Sequence, residues 1–359
     1  MRILQIIDSL DAGGAEKMAV SYANALSYRI EFSGLVATRK QGPLLEQIND
    51  SVNYLFLNKK KSVDLKSIFK LRKFVIENEV EIIHAHSTSF FTATVLKFTY
   101  PKIKIVWHEH YGARANQSRT DNLVLLFSSL FFFSVIVVNK QLKIWVKKNL
   151  YSNKVFYVPN FVPSDSSQPN STFLKGIFGK RIICVANLRK EKNHFLLVEV
   201  AKKINFSHPE WTFHLVGKNF QDKYSNQLVN SISELKLEET VFIYGSKLDI
   251  KNILDQSAIA LLTSNSEGLP VALLEYGYYK KPVVVTRVGE IALVVQNGIN
   301  GFVVPPNDVD LFYTSLVKLI ESDTLQIKFA NALQETINQN YSEDGIITQY
   351  LKWLENSLK

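Results

Sequence analysis

Two glutamates, Glu267 and Glu275, stand eight positions apart on either side of Gly268-Leu269-Pro270, directly after the apolar run from Ala258 to Thr263. Pro270 suits the first turn of a helix, where its missing N–H is one the helix would leave unpaired anyway. Glu267 and Gly268 then fall in a loop and Glu275 in the second helical turn. Unpaired N–H groups and the positive end of the helix dipole open between the two acids, a ready site for an anion such as a diphosphate. At a rise of about 1.5 Å per residue, Glu275 lies less than ~10 Å below the loop, so one acid can reach a group on each side of the anion. A nucleoside diphosphate sugar has that layout: ribose, two phosphates, hexose. Spacing alone would equally fit a solvated loop acid and an exposed helix acid.

The elements that must hold this pair are a strand, a tight loop and a helix, followed by a second strand from Lys281-Pro282-Val283. Leu273, Leu274, Tyr276 and Tyr278 make the helix apolar nearly all round, which predicts burial. A carboxylate on a buried helix needs a partner.

With its flanks, SEGLPVALLEYGYYKKPVVVT resembles the signature of the large retaining glycosyltransferase family 4, in which Glu-Gly-Phe/Leu-Pro leads to a second Glu and then Gly-Lys-Pro-Val-Val. The resemblance implies an α/β fold of two Rossmann-like domains facing a central cleft (GT-B), with a C-terminal helix returning to the first domain. It also implies that Glu267 lies by the donor sugar and diphosphate, with Gly268 and Leu269 at the phosphates, and that Glu275 binds the ribose hydroxyls.

Four further segments carry the resemblance. Asn187-Leu188-Arg189-Lys190-Glu191-Lys192 occupies the loop from which the family's Arg and Lys hold the donor phosphates. Lys192 keeps the family position, and Arg189 substitutes for the Arg that usually stands where Asn187 does. Two cations beside a diphosphate stabilise the negative charge that it gains as the sugar bond breaks. Gly13-Gly14 open a helix after the first strand, where adjacent glycines let the backbone approach a ligand; the dinucleotide fingerprint Gly-x-Gly-x-x-Gly is absent. Ile-Val-Trp-His-Glu-His-Tyr-Gly resembles the strand-end segment whose histidine meets the transferred sugar, a role that falls on His110, with His108 as competitor. Tyr244 and Gly245, at another strand end, take the place of the family's nucleobase contacts. The loop from Thr286 to Leu293 departs from the family's Gly-Gly-Ile-Pro-Glu at three places, and Phe161 replaces a hinge glycine.

Metal readings are weaker. His84-x-His86 and His108-x-His110 have suggestive spacing, but no cysteine or third histidine group completes a zinc site. Asp308-Val309-Asp310 precedes a helix, so capping explains it. No metal and no cofactor are expected.

The chain has 359 residues, enough for two domains with ordinary cores. Alternating strands and helices imply parallel sheets, whose ligands gather beyond the strand C-termini. The expected domains are residues 1–163, binding acceptor, 164–340, binding nucleotide sugar, and 341–359, a helix packing back on the first domain; the linker is placed at Ser164 to Thr172. A single cysteine, Cys184, excludes a disulfide framework and fits a reducing compartment. The N-terminus enters a strand with no cationic leader and cleavable apolar segment, so a cytoplasmic location is expected.

Charge is unevenly placed. Residues 1 to 160 hold 22 Lys or Arg against 12 Asp or Glu, and the remainder 20 against 21. The first half therefore meets something anionic. Phe, Trp and Tyr mixed among these cations, with no nucleic-acid motif, favour a phospholipid surface at the inner face of the cytoplasmic membrane. The longest uncharged apolar run, Leu123 to Val138, is too short to span a bilayer. It is expected to be core, a buried helix followed by a buried strand, with dipping into a membrane interface as the lesser alternative.

Together these observations predict a retaining, metal-independent transferase moving a hexose or N-acetylhexosamine from a nucleotide sugar, UDP-linked by preference, to a hydroxyl of a glycan or lipid-linked glycan. A nucleotide-sugar epimerase or phosphorylase on the same fold, and a non-catalytic nucleotide-sugar binding module, are the alternatives.

Overall fold

A computed structural model describes residues 1–163 and 169–358. The chain forms two compact units, Met1–Ser166 with Glu343–Lys359, and Ser167–Ser342. Of the expected linker, residues 164–168 lie outside the described residues.

The first unit is built on seven strands: β1 (Arg2–Ser9), β2 (Phe32–Lys40), β3 (Asn53–Phe56), β4 (Ile82–His86), β5 (Lys104–Glu109), β6 (Phe132–Val137) and β7 (Val155–Tyr157). They form one parallel sheet in the order β3-β2-β1-β4-β5-β6-β7. The joining helices are α1 (Gly14–Ser27), α2 (Leu65–Glu77), α3 (Phe90–Thr99), α4 (Leu123–Ser128) and α5 (Lys140–Asn149). The second unit repeats the scheme with six strands: β8 (Arg181–Val185), β9 (Thr212–Val216), β10 (Val241–Gly245), β11 (Ile259–Leu262), β12 (Val283–Thr286) and β13 (Phe302–Val304). Their order is β10-β9-β8-β11-β12-β13, again parallel. Its helices are α6 (His194–Ser207), α7 (Lys223–Glu234), α8 (Ile250–Asp255), α9 (Val271–Tyr278), α10 (Ile291–Val294), α11 (Val309–Ile320) and α12 (Asp323–Asn340).

Both sheets are covered on two faces, which is why their central strands read as unbroken Ile, Leu and Val runs rather than alternating ones. In each, the strand order reverses between the first and fourth strands, β1 and β4, then β8 and β11. Loops that leave these adjacent strands in opposite directions part there and open a crevice for ligand.

Helix ends follow the sequence signals. Asp64, Asn139, Asp222, Asp308 and Ser322 each accept a hydrogen bond from a backbone N–H of the turn they begin. For Asp308 the partner is the Leu311 N–H at 2.9 Å, while Asp310 pairs with Lys203, in keeping with the capping reading. The last helix, α13 (Glu343–Leu358), belongs to the first unit. Tyr350 meets Tyr22 of α1 edge-to-face at 5.2 Å, and Trp353 lies 4.3 Å from the Phe156 ring. Phe161, in the place of a hinge glycine, is fully buried with its ring 5.1 Å from Tyr22.

One expectation needs correction. The segment Leu123 to Val138 is core only in its second half, where Ser134 to Val138 are buried. In the helical half Leu123, Val124, Phe127 and Leu130 are 54–62% exposed. This helix lies on the outside of the sheet and turns Leu125 and Ser128 inward, with Leu126 partly buried against the core. An unbroken apolar run cannot reveal such a division, because it has no polar positions to mark the outer face.

Candidate active site

In the second unit, the loop after β8 and the loop after β11 meet at the switch point. Lys192 Nζ donates to both oxygens of Glu267, at 2.7 and 2.8 Å. Ser264 Oγ donates to Glu267 Oε1 at 2.6 Å. Glu267 is 7% exposed and Lys192 23%, so the carboxylate is buried and the lysine partly open to solvent.

The two loops are also stitched through their backbones. Asn265 N–H donates to Glu191 O at 2.8 Å, and Thr263 Oγ1 donates to Lys192 O at 3.0 Å. From below, Thr286 Oγ1 holds Ser264 O at 2.6 Å, and the Glu290 N–H holds Gly268 O at 2.9 Å. Gly289 lies in the left-handed region, φ +53°, and a Cβ there would collide with the carbonyl oxygens of Glu267 and Gly268. The Thr286–Leu293 loop, despite its departures in sequence, is thus the support under Glu267 and Gly268.

Helix α9 starts at Val271, one residue later than expected, with Pro270 as an extended cap rather than a first-turn residue. Glu275 still falls in the second turn and is 6% exposed. Burial of the helix is as expected for Leu273, Leu274 and Tyr276, while Tyr278 is half-buried. Gly277 brings α9 close to α12, since a Cβ there would stand 2.5 Å from Ile337. Tyr276 is anchored on the sheet, its hydroxyl accepting from the Val185 N–H at 2.6 Å. Burial, with the nearby Cys184, Glu275 and Glu267, raises its hydroxyl well above the ordinary value. Cys184 is itself pushed up to about 12, by burial first, with the charges of Lys192 and Glu267 within reach. Neither group ionises at physiological pH, so the carboxylates and Lys192 are the charges that act here.

Arg189 is not drawn into this pair. Half exposed, it lies 3.9 Å from Glu191 with its guanidinium 4.6 Å over the Phe220 ring, which Lys218 also faces at 5.1 Å. Asn187 accepts the Lys218 N–H at 2.7 Å and so ties the loop after β8 to the loop after β9. The Arg189–Phe220–Lys218 stack escaped sequence reasoning; only the cations flanking a lone aromatic could have pointed to it. Tyr244 turns its hydroxyl to the Lys175 N–H at 2.9 Å and to His214 Nδ1 at 3.1 Å, a structural anchorage. Gly245, φ +68°, has open space where a side chain would stand, so of these two it is the glycine that leaves room for a flat ligand.

In the first unit, Gly13 caps α1 and Gly14 begins it. A Cβ at Gly13 would strike the Glu16 carboxylate, whereas Gly14 faces nothing within 4 Å. The histidines expected as separate pairs converge, because β4 and β5 are neighbours in register, His86 opposite His108. His84 Nε2 is 3.1 Å from His108 Nδ1, and Tyr350 of α13 reaches His84 Nδ1 at 3.2 Å. His86 bridges Gln5 Oε1, at 2.8 Å, and His110 Nε2, at 2.9 Å. His84, His86 and His108 are fully buried and present ring nitrogens within 4.8 Å of one another. The third histidine judged missing from the sequence is therefore supplied by strand pairing, although a metal here would have to break the His84–His108 hydrogen bond. His108 is interior, and His110, beyond the end of β5, is half-buried.

Burial holds all four imidazoles below their ordinary range, His110 at about 3, so they are neutral at pH 7. A neutral ring donates from one nitrogen and accepts at the other. The Gln5 amide oxygen can only accept, so His86 Nε2 carries the proton and Nδ1 accepts from His110 Nε2. His110 Nδ1 is then left as an acceptor, buried and with no hydrogen-bond partner among the described residues.

Residues 178–337 match the family Glycosyl transferases group 1, and residues 12–166 match Glycosyltransferase Family 4. The chain is 25% identical over 326 residues to the UDP-Gal:alpha-D-GlcNAc-diphosphoundecaprenol alpha-1,3-galactosyltransferase of Escherichia coli, covering 84% of this chain and 83% of that protein. It is 22% identical to the amylovoran biosynthesis glycosyltransferase AmsD of Erwinia amylovora, over 98% of each. Anabaena Alr3699/HepE, solved in complex with UDP and glucose, superposes with a TM-score of 0.81 at 19% identity, over 99% of this chain and 100% of that chain. With one family match on each unit, together spanning most of its length, the chain belongs to the group 1 glycosyl transferases of the GT-B fold.

Proposed function

We propose that this glycosyltransferase is a retaining, metal-independent enzyme that moves a hexose or N-acetylhexosamine from a UDP-sugar to a hydroxyl of a glycan or lipid-linked glycan, in polysaccharide or glycolipid assembly. The observation that carries the reading is the Lys192 ammonium held on Glu267 at the mouth of the β8–β11 switch point. It places a cation, a carboxylate and the start of α9 within one loop system. Lys192 neutralises the diphosphate as it leaves, a contribution worth about 3 kcal/mol when one such contact is removed, and Arg189, stacked on Phe220 in the same loop, is the second cation proposed for the phosphates. Glu267 takes the sugar end of the donor, Glu275 the ribose hydroxyls, Gly268 and Leu269 the phosphates, and Gly245 with Tyr244 the base. In the first unit, Gly13-Gly14 at the start of α1 lie toward the diphosphate and acceptor, and His110 toward the transferred sugar. The acceptor attacks from the face that the diphosphate vacates, and the leaving phosphate receives its proton.

The UDP and glucose in the Anabaena structure and the UDP-galactose donor named for the Escherichia coli relative support a uridine donor. The diphosphoundecaprenol acceptor of that relative supports a lipid-linked glycan and, with the basic first unit, peripheral work at the inner membrane face. A thermal-shift series with UDP-, GDP- and ADP-sugars tests the donor, since a ligand at 100 times its dissociation constant adds about 2.7 kcal/mol. Nucleotide release that requires a glycan acceptor separates transfer from epimerisation or phosphorolysis. Equal shifts with all three nucleotides, or turnover without acceptor, would overturn the reading.

A further inference from the structure

We infer that one face of the first unit, the outer side of α2, α3, α4 and α5, is a docking surface for an anionic lipid bilayer, with α4 as the part that enters the headgroup layer. The inference rests on the membrane reading given under Proposed function and assigns it to particular residues.

The strand order decides which helices share this face. A right-handed crossover puts α1, which leads from β1 to β2, on one side of the sheet. The connections that run the other way, from β3 through β4, β5 and β6 to β7, lie on the opposite side. Contacts of α2 with α3 and of α3 with α4 agree, as does the packing of α13 against α1. The two sides differ in charge. Helices α2 and α5 carry four cations each and α3 carries Lys97, against Glu77 alone. On the other side α1 and α13 carry Lys17 and Lys352 against Glu16, Glu343, Asp344 and Glu355.

Exposed apolar side chains follow the same division. On α2, Phe69 is 59% exposed between Lys66, Lys70 and Lys73 at helical spacing, and on α5 Ile144 is 68% exposed between Lys140, Lys147 and Lys148. Between these cationic stripes the uncharged α4 and the turn after it present Leu123, Val124, Phe127 and Leu130, joined by Phe98 of α3 at 58% exposure. Phe98 and Phe127 both pack on the Phe131 ring, at 4.9 and 5.5 Å, so the apolar patch is continuous. Among the described residues, neither α1 nor α13 exposes a large apolar side chain. Apolar residues flanked by lysines on a single face are what an interface between water, anionic headgroups and acyl chains selects. A soluble protein partner would not require the cations to lie symmetrically on both flanks.

The test is co-sedimentation of the full chain with phosphatidylcholine vesicles, with and without phosphatidylglycerol, in the absence of donor and acceptor. Wild type is expected to pellet with the anionic vesicles only. Lys70→Glu with Lys147→Glu should weaken that binding by roughly tenfold or more, given about one order of magnitude for each pair of cations withdrawn. Leu123→Ser with Phe127→Ser should weaken it at unchanged salt dependence. All four residues are surface-exposed, and transfer to a detergent-dispersed acceptor should stay at the wild-type rate in both variants. Pelleting with neutral vesicles to the same extent, no pelleting at all, or variants that bind as wild type would overturn the surface while leaving the transferase reading intact. So would self-association in solution that buries α4 without vesicle binding. Loss of detergent-phase transfer together with binding would likewise overturn it, because the substituted residues would then belong to the catalytic machinery.

Discussion

Replacing Lys192 with Met while Glu267 becomes Gln, singly and together, tests whether these two residues act as one unit. The ammonium lies 2.7 and 2.8 Å from the carboxylate oxygens. At an effective dielectric near 20 a contact of that length is worth about 6 kcal/mol of raw attraction. Most of it is offset by desolvating Glu267, which is only 7% exposed, and part is screened because Lys192 is 23% exposed. Lys192→Met leaves the buried carboxylate with Ser264 as its remaining side-chain donor among the bonds described, and should cost about 2–3 kcal/mol of stability, below the 3–5 typical of a wholly buried pair. Glu267→Gln keeps the shape and an acceptor oxygen, so its cost should be smaller. The double variant should recover about 1–2 kcal/mol relative to the sum of the singles. Urea unfolding, with the slope checked for constancy, measures all four corners of the cycle. The same proteins assayed for nucleotide release should lose about 10²–10³ in kcat when Lys192 is gone, the loss expected for one oriented donor at a developing anion. Additive stability effects within about 0.5 kcal/mol would refute the coupling, and an unchanged kcat in Lys192→Met would refute its placement beside the leaving group.

Glu275→Ala should weaken UDP-sugar affinity, whereas Glu267→Ala should lower kcat more than affinity; calorimetric titration with UDP and steady-state kinetics separate the two, and unchanged values in both variants would remove the site assignment. Gly289→Ala places a Cβ against the Glu267 and Gly268 carbonyls at φ +53° and should cost about 1–3 kcal/mol, together with donor affinity; an unaltered melting temperature would contradict the close approach. His110→Phe should lower kcat for transfer more than it weakens UDP affinity, because it removes the ring placed toward the transferred sugar; an unchanged kcat would argue against that role. Acidification should destabilise the fold below pH 6.5. The buried His84, His86, His108 and His110 have folded-state values held below the unfolded one, so the unfolded chain binds more protons between the two and stability falls as pH drops. Each such histidine contributes about 1.4 kcal/mol per pH unit, and proton uptake on unfolding at pH 5.5 should be absent if the rings titrate normally.

The parts of this molecule that a sequence reader can recover are those fixed by local rules. The alternation of strand and helix, the cap at Asp308, and the burial of α9 all follow from residue type and period, and each is found. The tight apposition of Lys192 and Glu267, 75 positions apart, follows from a strand order that no local pattern states. The same holds for the support under Gly268, whose sequence departs from the family pattern although its backbone makes the supporting bond. A loop that works through an N–H, a threonine hydroxyl and a left-handed glycine keeps its function while its other side chains vary, because the support rests on Thr286 and Gly289. Arg189 illustrates the opposite case. Its type and spacing announce a phosphate ligand, yet its side chain lies on Phe220, a position that strand-end spacing cannot resolve.

The histidine cluster carries this argument furthest. Two H-x-H pairs 24 positions apart place His84 and His86 on one side of β4, and His108 on the matching side of β5. Parallel pairing in register then brings their rings into contact, and burial removes their charge. Neutral rings in contact must each choose one nitrogen to protonate, and the choice at His86 is made by Gln5, 81 positions away on β1. That choice passes through His86 to His110 and determines which of its nitrogens is free to accept. Changing Gln5 to Glu would strengthen the acceptor at His86 Nε2 and keep the tautomer, whereas Gln5→Leu would release it. If the His110 ring meets the transferred sugar, Gln5→Leu should lower kcat without touching UDP affinity, and Gln5→Glu should restore it; nitrogen chemical shifts of the His110 ring, moving in the first variant and not the second, distinguish this relay from simple loss of packing.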